Sequence, residues 1–129
     1  MDKHATPSAV DRWRANGMVD RDVWCHAGDA GLLCPSMPVE YGGSGGDFRH
    51  EAALVRQLVR RGLDGWGVPL HNGIVAPYIL EYGNSAQRDK WLPKLASGDL
   101  VGAIAMTEPG IGSDLQAIRT RAVKEGDHY

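Results

Sequence analysis

The chain is 129 residues long with a mass of 14.0 kDa, which suits one ordinary domain or part of a larger protein. Apolar residues make up 43% of it and charged residues 23%, a balance that excludes disordered, collagen-like and coiled-coil chains. Lys and Arg number 14 against 16 Asp and Glu, giving a net charge of −2, so we expect neither nucleic acid nor a membrane as a partner.

Two short helices are predicted near the N-terminus. The first seven residues look frayed, a helix follows over residues 10–15, and Asn16-Gly17 ends it. Asp20 is a suitable N-cap for a second helix. The apolar face of that helix would carry Val23, Trp24 and Ala27.

The next segment is predicted to be extended and then looped. Pro35 and Pro38 exclude a helix over residues 32–38. Four of the five residues from 42 to 46 are glycine, which indicates a loop.

The longest helix is predicted over residues 48–61, between the N-cap Asp47 and Gly62 as its stop. Four apolar residues recur at helical spacing and predict the face that packs into the core: Phe48, Ala52, Val55 and Val59. Three arginines share an outer face that we expect to be solvated: Arg49, Arg56 and Arg60.

Two further helices complete the predicted helical part. The fourth covers residues 72–82, with Ile74, Tyr78 and Tyr82 in register. The fifth begins at a capping box in residues 84–87, is interrupted at Pro93 and closes at Gly98. Five helices with short connections predict an antiparallel helical array.

The pattern changes to predicted β structure after residue 98. Residues 101–106 form a short uncharged apolar run, which favours a buried strand. Residues 118–123 alternate with period two, as in a half-exposed strand, and residues 125–127 predict a hairpin turn. Because two strands and a stub do not make a stable sheet, we expect this sequence to be the front of a longer polypeptide.

Cysteine content and hydropathy bear on cofactors and location. Cys25 and Cys34 are too few for a metal quartet or a disulfide framework and predict two reduced thiols. No apolar run approaches the roughly 20 residues of a membrane-spanning helix, and the first residues lack the apolar stretch of a secretory signal. We therefore expect a cytoplasmic protein without a metal site.

The most informative segment is residues 107–114, Thr-Glu-Pro-Gly-Ile-Gly-Ser-Asp. Its glycines would let successive N–H groups converge on a phosphate, and the hydroxyls of Thr107 and Ser113 can donate to a phosphate or to a heterocycle oxygen. On spacing alone, a Pro-Gly turn between two strands is the simpler interpretation. The segment is neither a Walker loop nor a dinucleotide fingerprint.

Residues 103–114, which extend that segment by Ala-Ile-Ala-Met, closely resemble the signature of the acyl-CoA dehydrogenase family. Val-Glu-Tyr-Gly-Gly at 39–43 and the run from Tyr82-Gly83 to Gly98 resemble other family motifs in the same order. The resemblance spans residues 21–129. Within the family, the segments 71–79 and 106–116 look most like the long-chain branch.

The resemblance implies a mainly α chain with a truncated β part. Residues 1–98 would be the N-terminal all-α domain, and residues 99–129 the incomplete start of the middle β-barrel domain. In the family a C-terminal four-helix bundle follows, and the subunits usually form tetramers. We therefore expect a homo-oligomer, a tetramer or a dimer.

The resemblance also implies an activity: FAD-dependent α,β-dehydrogenation of acyl-CoA thioesters, of the fatty-acid β-oxidation type, with an electron-transferring flavoprotein as acceptor. An acyl-CoA oxidase or another flavoenzyme on the same scaffold is the alternative within the family. A non-catalytic helical interaction module is the alternative outside it.

Individual roles follow from the same resemblance. Thr107 would hydrogen-bond the pyrimidine end of the flavin, with backbone groups of Ile104 and Met106 nearby. Gly112 and Ser113 would lie by the FAD pyrophosphate, Ser113 also at the entry of the CoA arm. Many family members have an aromatic residue at the position of Ile104.

No catalytic residue is expected in this chain, because the family's glutamate base lies far downstream. Glu108 is expected to make a structural hydrogen bond at the turn. His71 is interpreted as a partly buried histidine with satisfied hydrogen bonds. Trp66, Trp91 and Tyr78 are assigned to the core.

Overall fold

A computed structural model describes residues 3–129, and its regular structure is helical. The α-helices are α1 (Pro7–Asn16), α2 (Arg21–Asp29), α3 (Phe48–Arg60), α4 (Val68–Leu70), α5 (Ala76–Tyr82) and α6 (Ser85–Ser97). A π-helical turn, His71–Val75, joins α4 to α5, and 3₁₀ turns occur at Val39–Tyr41 and Leu115–Ala117. The predicted mainly α class is confirmed.

Helix α1 begins three residues before its predicted start. Thr6 is its N-cap, with the hydroxyl oxygen accepting from the Ala9 N–H at 3.3 Å, and Pro7 occupies the first turn. Thr6 and Pro7 therefore belong to an ordered helix start, so the predicted fraying is wrong for these two residues. Residues 1–2 of the segment expected to fray lie outside the described residues. Asp20 stands at the predicted N-cap of α2, but its carboxylate pairs with Arg12 instead of capping the helix.

The predicted core face of α3 is wrong. Phe48 is 80% exposed and Val59 58% exposed, while Leu54 and Leu58 are buried. Helix α3 carries two apolar rows, and the row with both leucines faces the core formed with α1 and α2. The three arginines of the outer face are exposed, as predicted.

The fourth and fifth predicted helices also differ in detail. Instead of a helix from residue 72, a continuous helical stretch starts at Val68 and contains the π turn. Helix α6 has the predicted capping box, in which Asn84 and Gln87 exchange hydrogen bonds of 2.9 Å. It continues through Pro93 without the expected interruption.

Two apolar clusters form the core. The first lies among α1, α2 and α3 and includes Trp13, Trp24, Leu58 and Trp66. The second lies between α5, α6 and the segment after α2 and includes Cys34, Met37, Leu92 and Leu95. Helices α2 and α6 meet through glycines: a Cβ on Gly28 would collide with the Ser97 carbonyl, and one on Gly98 with the Trp24 carbonyl.

The predicted strands at 101–106 and 118–123 do not form in the described part of the chain. Residues 101–106 have no regular secondary structure, are half-buried to exposed, and do not pair with residues 118–123. A strand needs a neighbouring strand to take its N–H and C=O groups, and neither segment has one here. The predicted turn at 125–127 is confirmed, because Glu125 and His128 exchange two backbone hydrogen bonds.

Candidate functional site

The candidate site is the segment that leaves the helical part after α6. Ile104 is half-buried, Met106 is 39% exposed, and Thr107 is exposed. Within the described residues, no main-chain N–H from position 103 to 107 donates a hydrogen bond. The segment therefore presents a row of main-chain donors and acceptors for an additional strand or a polar ring.

A closed loop follows this segment and is held by Glu108. The Ile111 N–H donates to the Glu108 carbonyl at 3.1 Å. The Glu108 carboxylate accepts from the N–H groups of Arg119 at 3.0 Å and Thr120 at 2.8 Å, and from the Thr120 hydroxyl. The structural hydrogen bonding expected of Glu108 is confirmed.

The same contacts make Glu108 a poor proton acceptor. The Thr120 hydroxyl and then the two N–H groups lower the pKa of Glu108 below its ordinary value, since hydrogen bonds to the carboxylate favour its charged form. A general base works best with a pKa near the working pH. Glu108 therefore closes the loop rather than abstracting protons.

Gly110 and Gly112 lie at the tip of this loop. Neither has a positive φ, and a Cβ on either would meet open space. No contact within the described chain requires glycine at these positions. The side-chain hydroxyls of Thr107 and Ser113, both exposed, make no hydrogen bond within the described residues, so they are free to bind a ligand.

His71 has both ring nitrogens engaged, which confirms the expected hydrogen bonding, but it is fully buried and not partly buried as predicted. Its Nε2 lies 3.0 Å from the Leu95 carbonyl, and its Nδ1 lies 3.0 Å from the Gly102 nitrogen. Its ring packs on Trp24 at 5.3 Å between centroids. Burial lowers the pKa of His71, against smaller opposing effects of the Leu95 carbonyl and Glu51.

Of the three aromatic residues predicted to lie in the core, one is buried and two are exposed. Trp66 is buried, as predicted, with 5% exposure. Tyr78 is 55% exposed and Trp91 37% exposed, so the core assignment is wrong for both. The Tyr78 ring packs at a tilt against the Tyr82 ring along α5, and the Lys90 ammonium lies 4.4 Å above the Trp91 ring.

A buried polar cluster beside His71 has no signature in the sequence. Glu51 accepts from the Ser36 hydroxyl at 2.9 Å and from the Asn72 amide at 3.3 Å. Asn72 also accepts from the Cys34 N–H at 2.9 Å and donates to the Leu32 carbonyl at 3.0 Å. The cluster holds the segment after α2 against α3 and the π turn.

Neither cysteine nor any metal-binding cluster adds a second site among residues 3–129. Both thiols are free. Burial, and secondarily Glu51, raises the pKa of Cys34 to about 12. No group of three or more His, Cys, Asp or Glu side chains could hold a metal ion there, and no helix in that range is long and apolar enough to cross a membrane.

Comparisons with known proteins agree on one family. Residues 1–99 match the family model described as "Acyl-CoA dehydrogenase, N-terminal domain". The mouse protein named "Long-chain specific acyl-CoA dehydrogenase, mitochondrial" is 43% identical over 117 residues, which are 91% of this chain and 27% of the mouse protein. The chain thus spans little more than a quarter of that relative.

Solved structures give the same result. The acyl-CoA dehydrogenase from Geobacillus kaustophilus superposes with a TM-score of 0.89 and 46% identity, covering 98% of this chain and 33% of that one. A Bacillus anthracis acyl-CoA dehydrogenase described as complexed with FAD superposes with a TM-score of 0.67 and 37% identity, covering 79% of this chain and 17% of that one.

Proposed function

This chain belongs to the acyl-CoA dehydrogenase family, and we propose that it is the N-terminal part of an FAD-dependent enzyme that oxidises the Cα–Cβ bond of acyl-CoA thioesters. The solved relative complexed with FAD supports the cofactor. The names of the relatives support the substrate class.

The residues of the candidate site suit a flavin. The unpaired main-chain groups of Ile104 and Met106 and the free Thr107 hydroxyl match the alternating donors and acceptors of a flavin pyrimidine edge. Gly112, with open space around it, and the exposed Ser113 hydroxyl would hold the pyrophosphate. Ser113 would also contact the CoA arm.

The chemistry divides between this chain and other parts of the enzyme. FAD, when bound, accepts the hydride that leaves the β-carbon. Residues 104–113 bind and orient the ring against the thioester, and Glu108 keeps their loop closed. The α-proton goes to a carboxylate base outside these residues, because Glu108 is committed to three donors.

Partners and location follow as further proposals. The electrons pass to an electron-transferring flavoprotein, and the protein assembles as a homotetramer or a homodimer. We place it in the cytoplasm, although the mouse relative is named as mitochondrial.

The observation that carries the proposal is the free surface of residues 107–113. A Cβ on Gly110 or Gly112 would meet open space, and the hydroxyls of Thr107 and Ser113 make no hydrogen bond within the described residues. The test is to express the whole gene, measure bound FAD, and follow anaerobic flavin reduction by acyl-CoA. We expect Thr107→Val to weaken FAD binding severalfold, up to about tenfold, as for loss of one hydrogen bond.

A pair of serine variants gives a further test with its control. Ser113→Ala should weaken FAD or acyl-CoA binding, whereas Ser44→Ala, which removes an exposed hydroxyl from another loop, should not. Rapid oxygen consumption with acyl-CoA would indicate an oxidase. A stop codon directly after Tyr129, with obligate association in size-exclusion chromatography and no flavin, would indicate an interaction module and overturn the proposal.

A further inference from the structure

The π turn 71–75 contacts the start of the candidate segment at one residue. The Gly102 N–H donates to His71 Nδ1 at 3.0 Å. A Cβ on Gly102 would lie 2.7 Å from a methyl group of Val75. Two residues of the turn therefore meet Gly102 directly, one by a hydrogen bond and the other by a contact that only glycine permits.

The hydrogen bonds fix the protonation state of His71. A main-chain N–H can only donate, so Nδ1 must accept from Gly102. A carbonyl can only accept, so Nε2 must carry the proton that is donated to Leu95. The neutral, Nε2-protonated ring thus links the last turn of α6 to the segment that follows it.

Beyond Gly102 the segment has no such support. No N–H from 103 to 107 donates within the described residues, and the next fixed point is the Glu108–Thr120 closure. On the other side of Gly102, the Leu100 N–H donates to the Lys94 carbonyl, and this bond still belongs to the end of α6. The direction in which the segment leaves the helices is therefore set at Gly102.

We propose that His71 is a positioning residue, which through Gly102 sets the course of residues 103–107 as they leave the helical part. If the proposed flavin site is correct, on which this extension rests, His71 also places Ile104, Met106 and Thr107 against the ring without touching it. The role belongs to the Nδ1 acceptor, so it can be separated from burial of the ring.

The test is hydrogen exchange by NMR on the 129-residue chain, with two variants that each retain one half of the histidine. His71→Asn keeps an acceptor near the Nδ1 position, and His71→Gln keeps a donor near the Nε2 position. We expect exchange of the Gly102 amide to accelerate at least tenfold more in His71→Gln than in His71→Asn. The Leu58 amide inside α3 reports global stability and corrects both values.

Equal acceleration at Gly102 in both variants after that correction would overturn the proposal, as would rapid Gly102 exchange in the unsubstituted chain. If the His71 variants unfold, a second pair of substitutions tests the same contact. Gly102→Ala should speed amide exchange near residue 102, and adding Val75→Ala to that variant should bring exchange back toward the rate of the unsubstituted chain. Failure of that rescue would count against the proposal.

Protonation provides a readout that a purely structural role would not give. A proton on Nδ1 removes the acceptor, so the Gly102 amide resonance should titrate with His71; Glu51 is the charged group that acts on this ring. None of these measurements involves flavin, so they stand if the flavin proposal fails. In the flavin-loaded enzyme, His71→Gln but not His71→Asn should raise the FAD dissociation constant severalfold.

Discussion

At the residue scale, burial decides which polar groups react and which only hold the fold. Cys34 is 1% exposed, while Cys25 is half-buried beside the Arg21 guanidinium, 3.8 Å from its sulfur. Since the thiolate is the reactive form, a raised pKa and lost access act together on Cys34. The two thiols should therefore differ strongly in reactivity.

We predict that one thiol per native chain reacts quickly with a disulfide reagent. Cys25→Ser should abolish the fast reaction, and Cys34→Ser should leave it intact. Burial and Glu51 raise the pKa of Cys34 to about 12, so this thiol stays protonated at neutral pH. Both should react after unfolding in denaturant; two fast thiols in the native chain would contradict the packing of Cys34.

We predict that the protonation of His71 lowers the stability of the fold on mild acidification. Its pKa is lowered in the folded chain mainly by burial, so below its ordinary value of about 6.5 the unfolded chain binds more protons than the folded one. The free energy of unfolding should therefore fall as the pH drops through about 6.5, and level off below the folded-state pKa. Urea unfolding at a series of pH values measures it.

His4 needs its own control, because local desolvation and the nearby His26 also lower its pKa. His4→Gln should leave most of the pH dependence in place, and His71→Asn should remove most of it. The carboxylates with lowered pKa values, such as Asp47, lose their contributions only below about pH 4. The reverse pattern in the two variants would show that His71 is not the responsible group.

At the element scale, the crossing of α2 and α6 depends on glycine. We predict that Gly28→Ala lowers the free energy of unfolding by about 2 kcal/mol or more, because its Cβ would collide with the Ser97 carbonyl and not with a movable side chain. Gly73→Ala is the control, since a Cβ there meets open space. It should change stability by about 0.5 kcal/mol or less, and comparable losses in both variants would contradict the crossing.

The two apolar rows of α3 give a second prediction at this scale. Leu58→Ala should lower the free energy of unfolding by about 2–5 kcal/mol, as for a buried leucine. Val59→Lys should change it by about 0.5 kcal/mol or less, since Val59 is 58% exposed. Urea denaturation of the two variants compares them directly; a large loss in Val59→Lys would show that this row is covered.

The sequence predicted elements better than it predicted their environment. Caps are local, so Asp47 and the Asn84–Gln87 box marked true helix starts. Helical spacing identified an apolar row on α3 but not which of two rows meets the core, since that depends on where α1 and α2 pack. The same limit applies to Tyr78 and Trp91. Their large aromatic side chains are typical of a core, but the fold leaves both exposed.

The motif of the candidate site could be found in the sequence, but the contacts that hold the site in place could not. The hydroxyls and glycines of residues 107–113 are visible in the sequence, and the structural role of Glu108 was expected. The link from His71 to Gly102 crosses 31 positions and the link from Glu51 to Asn72 crosses 21. Contacts between residues so far apart in the sequence depend on the fold, and no local sequence pattern predicts them.

At the scale of the whole molecule, the helical part is self-contained and the last thirty or so residues are not. Two buried clusters and a polar network hold residues 6–100 together. From residue 103 to 129 nearly every residue is exposed, and apolar side chains such as Ile118 and Val123 are 42% and 64% exposed. The chain covers 27% of the mouse relative and 33% of the Geobacillus structure, so in the proposed enzyme we expect these side chains to pack against other parts of the protein.

We predict that the 129-residue chain alone does not retain FAD and does not oxidise acyl-CoA. A flavin ring held on one side by residues 104–107 would keep its other face in water, and hydrogen bonds to an exposed site contribute little net affinity. Flavin absorbance of the purified chain and of its denatured extract measures binding, with the product of the whole gene as the positive control. A yellow, active 129-residue protein would show that these residues form a complete site and would move the proton-abstracting base into this chain.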